Sequence, residues 1–222
     1  MTHYSVKKAC NVLCLNNYYV ASNDTYELDA GDLDRVIKKL SKKSNKYFVL
    51  ILTLGYTVTG SYDDIANIQK IITKLERRYK VKIFMHIDAA HGGFILPFFH
   101  KEPLGFNLTS VLTIALDAHK TGLVPYSCGV FLCRKYLQKY VETDADYLHG
   151  HFDDTLIGSR SGAIAAGLWH ALVSQGSEGY RKIYTQCFKY KNDFLKSLKE
   201  NDIPHWHYTH PYSNIVAIQF TR

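Results

Sequence analysis

Apolar residues along the chain alternate between the spacing of buried strands and the spacing of amphipathic helices. Three apolar runs predict strands at 47–54, 83–87 and 111–116, and the first is so uniformly apolar that it suits a parallel strand covered on both faces. Apolar residues that recur every three or four positions predict helices at 4–13, 33–40 and 65–75. This alternation predicts an α/β fold with a mostly parallel sheet and right-handed crossovers.

Weaker signals extend the pattern to the rest of the chain. We expect further strands at 15–21, 128–133 and 215–220, and helices at 163–173 and 179–198. The polar segment 141–161 is rich in aspartate and histidine, which predicts a surface loop with a functional role.

Composition narrows the class of protein. Of the 222 residues, 46% are hydrophobic, which is ample for the core of one large domain. The net charge of +7 lies in runs without the aromatic residues of a nucleic-acid-binding module, so these runs predict solvated helix faces. Five scattered cysteines favour a reducing compartment, and we find neither a signal peptide nor the roughly 18 apolar residues of a membrane span. We therefore expect a cytoplasmic protein whose partners include neither nucleic acid nor membrane.

Two charged residues follow the second and third apolar runs. Asp88 comes directly after the run at 83–87, and Lys120 follows the run at 111–116 after three intervening residues. Active sites of parallel sheets lie beyond the carboxyl ends of the strands, so both residues should share one edge. From the residues alone, the pair is either a partly buried ion pair or part of an active site.

Five motifs in register resemble a known family. The chain resembles the pyridoxal phosphate (PLP) dependent group II amino-acid decarboxylases at HIDAAHGG (86–93) and DAHKTGLVP (117–125). It is similar to their H-x-S-x-x-K-A segment at 3–9 and to their G-T-T-x-x-G-x-x-D-D turn at 55–64, although Tyr56 replaces a threonine. The segment IGSRSG (157–162) is similar to archaeal tyrosine/aspartate decarboxylases and to sphingosine-phosphate lyases. This resemblance implies the large domain of PLP fold type I, with helices on both faces of the sheet.

The resemblance implies three catalytic residues. Lys120 would form the Schiff base with PLP and later be free for proton transfer. Asp88 would keep the pyridine nitrogen protonated, so that the ring accepts the electron pair released with carbon dioxide. His3 would lie on the face of the ring.

The same resemblance implies three further cofactor contacts. Ala90 would pack against the other face of the ring, and Thr57 would lie near its hydroxyl edge. His119 would lie near the phosphate, although it could instead be a hydrogen-bonding residue at a strand end.

The polar loop and the segment after it leave alternatives open. The H-x-H-x-D pattern at 149–153 looks like a set of metal ligands, but alternate residues of a loop need not converge, and we expect no metal. The resemblance implies a loop that closes on the substrate, with Tyr147 or His151 as the proton donor. Ser159 and Arg160 would either cap and salt-bridge the next helix or approach the cofactor phosphate or substrate carboxylate.

Relatives in this family extend beyond both ends of the matching region. They carry a phosphate-binding loop in a long N-terminal portion and continue into a small C-terminal domain, and we expect this chain to lack the first and most of the second. We divide it into an incomplete PLP-binding domain, 1–175, and a long helix with the start of the small domain, 176–222. Because sites of this fold form at a dimer interface, a homodimer is expected.

Three functions remain open. The first is PLP-dependent decarboxylation of an amino acid, whose identity the sequence leaves undefined. The second is carbon–carbon bond cleavage of the sphingosine-phosphate-lyase type. The third is a non-catalytic remnant or split-gene partner.

Overall fold

Four strands form the central sheet in a computed structural model that describes residues 2–43, 46–144, 152–155 and 157–220. Their spatial order follows the chain: β1 (Tyr47–Thr53), β2 (Lys82–Asp88), β3 (Val111–Asp117) and β4 (Gly129–Cys133). The first three strands are parallel, and β4 is antiparallel to β3. The predicted mostly parallel sheet is therefore confirmed, and β1, β2 and β3 end together at what we call the carboxyl edge.

Five α-helices accompany the strands in the described part of the chain: α1 (Tyr4–Val12), α2 (Ala30–Ser41), α3 (Ile65–Tyr79), α4 (Ala118–Thr121) and α5 (Gly162–Glu200). Asp29 and Asp64 cap α2 and α3 by accepting hydrogen bonds from backbone N–H groups of the first turn. The helices predicted at 163–173 and 179–198 are both part of α5. The backbone leaves helical geometry between them at Gly176, where φ is 56°. None of the described helices is both long and apolar enough to cross a membrane.

The main core lies between the sheet and the helices α2 and α3. The side chains of β2 that enter it alternate along the strand, as the pleat of a strand requires; they are Ile83, Met85 and Ile87. A second apolar cluster packs α5 against α4 and the segment after β2, and it includes Phe94, Ala118, Tyr180 and Tyr184. This second cluster fixes the position of the short helix that carries Lys120.

Several predicted elements differ from the structure. No strand forms at 15–21, where Leu15, Tyr18 and Tyr19 are exposed and no neighbouring strand pairs with them. The segment 215–220 does not join the central sheet: β8 (Ala217–Phe220) pairs with β7 (His205–Tyr208), a strand that we did not predict.

Two further expectations need correction. The strand β1 lies at the edge of the sheet, with 77% of Tyr47 and 66% of Val49 exposed, so its first half is not covered on both faces. The polar segment 141–161 contains two short paired strands, β5 (Thr143–Asp144) and β6 (Phe152–Asp153).

Candidate active site at the carboxyl edge

Asp88 is held at the end of β2 by its neighbours on both sides. Its backbone is paired with Thr53 of β1 and Ala115 of β3, and its carbonyl accepts a hydrogen bond from Leu54 N at 2.8 Å. Its Oδ1 accepts from Ala90 N at 3.2 Å. The carboxylate therefore has a fixed position in the turn that follows β2, where its side chain is half-buried.

Lys120 lies in the helix α4, one turn beyond the end of β3. Its Nζ is 2.8 Å from Asp117 Oδ2, and 39% of the lysine side chain is exposed. The sequence predicted this lysine shortly after a strand end, and the structure places it in a short helix that continues from the strand. The amine is thus paired on one side and accessible on another.

Two tyrosines of α5 are hydrogen-bonded to the carboxyl end of α4. Tyr180 Oη donates to the carbonyl of Gly122 at 2.9 Å, and Tyr184 Oη donates to the carbonyl of Thr121. Burial raises the pKa of both hydroxyls, so they remain protonated donors at neutral pH. Each bond satisfies a carbonyl at the end of α4 that has no partner within so short a helix.

Two hydrogen bonds join the Asp88 turn to the Lys120 helix. Asp117 N donates to the carbonyl of Ala90 at 3.3 Å, and Thr121 Oγ1 donates to the carbonyl of His91 at 2.8 Å. The segments 88–91 and 117–121 therefore run side by side. This is the shared edge that the sequence predicted for Asp88 and Lys120.

The glycines after Asp88 allow this close packing. A Cβ at Gly92 would lie 2.7 Å from the carbonyl oxygen of Leu54, and a Cβ at Gly93 would collide with the side chain of Leu116. Gly92 N also donates to the Leu54 carbonyl at 2.8 Å. Larger residues here would push the turn away from β1 and β3.

Thr57 and Ala90 lie at the same edge. Thr57 is exposed in the loop after β1, which is closed by hydrogen bonds from Gly55 N and Tyr56 N to the carbonyl of Ser61, both at 3.0 Å. Ala90 is half-buried in the turn after β2. Their predicted contacts with the cofactor stay predictions.

His119 is held by Cys128, the residue before β4. Its Nδ1 lies 3.0 Å from the carbonyl oxygen and 3.1 Å from the backbone nitrogen of Cys128, and its Nε2 lies 3.9 Å from Asp117 Oδ2. The ring also packs edge-on against Tyr126, with 4.7 Å between centroids. These contacts match the interpretation of His119 as a strand-end hydrogen-bonding residue, and its contact with a phosphate stays a prediction.

The remaining predicted residues lie in other elements. His3 caps α1, where its Nδ1 accepts from Ser5 N, and its role on a ring face stays a prediction. Ser159 and Arg160 are exposed ahead of α5, and the residue at the cap position of α5 is Ser161. Tyr147 and His151 lie outside the described residues. Within the described ranges, no group of three or more His, Cys, Asp or Glu side chains is arranged to hold a metal ion.

The structure adds three residues to the candidate site. Asp117 pairs with Lys120, and its position three residues before the lysine within one motif was a usable signal, since residues three apart face each other on a helix. His91 Nε2 lies 2.8 Å from Asn214 Oδ1. Because 123 residues separate these two, only the folded chain brings them together.

Comparison with known proteins identifies the family. The model of the pyridoxal-dependent decarboxylase conserved domain matches residues 1–218. The chain belongs to the pyridoxal-dependent decarboxylase family. Members of this family use pyridoxal 5'-phosphate, and the curated relatives described next are decarboxylases.

The similarity to individual decarboxylases covers most of the chain. The tryptophan decarboxylase of Clostridium sporogenes is 34% identical over 222 residues, which are 98% of this chain and 51% of that protein. The histidine decarboxylase of Raoultella ornithinolytica is 34% identical over 182 residues, which are 82% of this chain and 77% of that protein. The chain spans about half the length of the Clostridium protein and of two probable L-tyrosine/L-aspartate decarboxylases that it also matches.

Solved structures confirm the PLP fold-type-I architecture. The glutamate decarboxylase of Lactobacillus brevis superposes with a TM-score of 0.85 at 24% identity, over 100% of this chain and 50% of that one. The sphingosine-1-phosphate lyase of Burkholderia pseudomallei superposes with a TM-score of 0.77 at 21% identity, over 99% of this chain and 49% of that one. At these identities the likeness describes the fold.

Proposed function

We propose that the protein decarboxylates an amino acid with PLP, and that Lys120 is the residue to which the cofactor is attached. The observation that supports this proposal is that the turn carrying Asp88 and the helix carrying Lys120 are hydrogen-bonded to each other at the carboxyl edge, in a member of the pyridoxal-dependent decarboxylase family. The identity of the amino acid is a separate question, since the relatives are named for tryptophan, histidine, tyrosine and aspartate.

The residues at this edge fit the chemistry of PLP. An accessible primary amine suits the aldehyde of the cofactor, and a carboxylate fixed at a strand end suits its pyridine nitrogen. Ala90 is small enough to leave room for a flat ring beside that carboxylate. When bound, PLP supplies an aromatic ring that accepts the electron pair left on the substrate after carbon dioxide departs.

Asp117 and Asp88 would have different tasks in this reaction. Asp117 holds the Lys120 amine at 2.8 Å and orients it whenever the lysine is not attached to the cofactor. A free Lys120 Nζ would carry a proton to or from the substrate and return to the Asp117 carboxylate. Asp88 would hold a proton at the pyridine nitrogen, as a charge-assisted hydrogen bond does.

The remaining cofactor contacts are part of the proposal. We place His3 and Ala90 on opposite faces of the ring, Thr57 near its hydroxyl edge and His119 near its phosphate. The carbonyls at the end of α4 are already satisfied by Tyr180 and Tyr184, so the lysine helix needs no ligand to hold it in place.

The experiment that tests this function is a titration of the purified chain with PLP, followed by absorption spectroscopy. We expect the band of a lysine–pyridoxal adduct, its loss in Lys120→Ala, and its retention in Lys101→Ala, which removes an exposed lysine outside the segments 88–91 and 117–121. With each candidate amino acid, released carbon dioxide is then assayed beside released aldehyde. A chain that shows no band at saturating PLP, or that releases aldehyde without carbon dioxide, contradicts the proposal.

Two further features belong to the proposal. We expect the domain boundary near 175/176, which the break of α5 at Gly176 supports. We also expect a cytoplasmic homodimer, in keeping with the many large apolar side chains exposed on this chain, among them Tyr19, Phe131 and Trp169. Sedimentation over a range of concentrations tests the dimer, and a monomer at every concentration would contradict it.

A further inference from the structure

We propose that Asn214 is a positioning residue of the carboxyl edge: it fixes the ring and the tautomer of His91 beside Lys120. The inference rests on the proposed function for its catalytic meaning, since it concerns the surroundings of the same lysine. Neither residue belongs to the set that the sequence predicted for the site.

His91 ends the segment 88–91 and contacts both the helix α4 and the turn after β1. Its carbonyl accepts a hydrogen bond from Thr121 Oγ1 at 2.8 Å, next to Lys120 in the chain. Its Cβ lies against the turn after β1, where a Cβ built on Gly55 would come within 2.9 Å of it. The backbone of His91 is thus fixed, and only the ring remains to be oriented.

The ring is oriented by Asn214. His91 Nε2 is 2.8 Å from Asn214 Oδ1, and an amide oxygen accepts hydrogen bonds but cannot donate them. Nε2 must therefore carry the proton in the neutral ring, which leaves Nδ1 without one. Asn214 selects one tautomer as well as one orientation.

Asn214 has a defined position because the loop 210–214 is tightly held. Lys191 Nζ donates to the carbonyls of His210, Pro211 and Ser213 at 2.9, 3.2 and 2.7 Å. Tyr62 Oη donates to the carbonyl of Tyr212 at 2.9 Å.

The packing of Ser213 also keeps the loop 210–214 in place. Ser213 is fully buried, and it packs against Gly60, where an added Cβ would collide with its Oγ. Because the loop is held in place, Asn214 has a fixed position and holds the ring of His91 in a fixed orientation.

The charge of His91 affects the neighbouring Lys120. Burial holds the pKa of His91 below its ordinary value; the Asn214 hydrogen bond opposes this shift, and the positive charge of Lys120 adds to it. His91 is therefore neutral at physiological pH. A neutral ring places no second cation next to the lysine, which would otherwise repel its ammonium form.

The test is nuclear magnetic resonance of the PLP-free chain with ¹⁵N-labelled histidine, in which the His91 signal is assigned by its absence in His91→Gln. We expect the Nε2-protonated tautomer and titration below the ordinary value. Asn214→Leu should mix the tautomers and lower the pKa further, because the hydrogen bond that favours the charged ring is gone. Lys120→Met should shift the pKa in the opposite direction, upward, because a neighbouring positive charge is removed.

Matched controls make the result specific. Asn192→Leu and Lys101→Met make the same changes at exposed positions and should leave the His91 signal unchanged. Asn214→Asp retains an acceptor and should keep the single tautomer. This variant distinguishes loss of the hydrogen bond from unfolding as the cause of a change in Asn214→Leu. A single tautomer and unchanged pKa in Asn214→Leu, or an unchanged His91 pKa in Lys120→Met, would overturn the inference. Because PLP is absent, a failure of PLP binding does not affect this test.

Discussion

Replacement of Lys191 by methionine should loosen the loop 210–214 and measurably destabilise the fold. Lys191 is a buried lysine, 7% exposed, and burial lowers its pKa. Its ammonium group donates to three backbone carbonyls of the loop. Methionine fills a similar volume but donates no hydrogen bond, so the variant isolates these contacts.

The three carbonyls do not contribute equally. The carbonyl of His210 keeps a bond from Ser213 N at 3.0 Å, and Pro211 is exposed, so water replaces the lysine there. Ser213 is fully buried, and its carbonyl would lose its lysine partner, at a cost of about 1–3 kcal/mol. We therefore expect Lys191→Met to lower the free energy of unfolding by about 2 kcal/mol. The loss is not larger because the variant also removes a buried charge, which is favourable.

Urea unfolding followed by tryptophan fluorescence measures this change, with Lys189→Met on the exposed side of the same helix as the control. The control should stay within about 0.5 kcal/mol of the unmodified chain. If Lys191→Met unfolds at the same urea concentration as the control, the reasoning about the loop is wrong. The variant should also mix the His91 tautomers, since Asn214 would lose its fixed position.

Three other predictions concern the same region. Burial, with smaller effects of the nearby Lys191 and His100, lowers the pKa of His210 to about 4. Between pH 4 and 6.5 the unfolded chain therefore binds a proton that the folded chain does not. The free energy of unfolding should therefore fall as the pH is lowered through this window. In His210→Gln this fall should be about 1–2 kcal/mol smaller than in the unmodified chain, after allowance for partial exposure. Equal slopes of the free energy of unfolding against pH in the two chains would contradict this. Gly60→Ala should lower the melting temperature by several degrees, because Gly60 has φ of 67° and its Cβ would meet Ser213; an unchanged melting temperature would show that the loop yields freely. Asp63→Asn should cost about 1–3 kcal/mol in urea unfolding, because Asp63 accepts two backbone N–H groups at 2.7 and 2.8 Å and an amide has only one oxygen; a loss below about 0.5 kcal/mol would contradict this.

Much of the sheet and its edge was predictable from local patterns. The alternation of apolar runs and amphipathic segments is enough to place β2, β3, α2 and α3. The strands β2 and β3 stand out as apolar runs, and α2 and α3 each bury a face whose helical period is visible in the sequence. The placement of Asp88 and Lys120 at one edge of the sheet follows from the geometry of parallel strands. Their chemical interpretation depends on motifs that the family match confirms as a whole, while the role of each residue stays a prediction.

What the sequence left hidden depends on contacts between distant segments. The bond between His91 and Asn214 has no local signal, and neither has the clamp of Lys191 on the loop 210–214. The strand expected at 15–21 failed because apolar content favours a strand only where a partner strand is available. For the same reason β8 could be recognised as a strand, but not its pairing with β7.

The most direct test of the central claim is to reduce the PLP-treated chain with borohydride and locate the pyridoxyl group by peptide mass mapping. Reduction converts the lysine–cofactor bond into a stable one, so the modified residue is identified without knowledge of the substrate. We predict a single pyridoxyl group on the peptide that contains Lys120, and none in Lys120→Ala. Modification spread over exposed lysines, with Lys120 unmodified, would contradict the account.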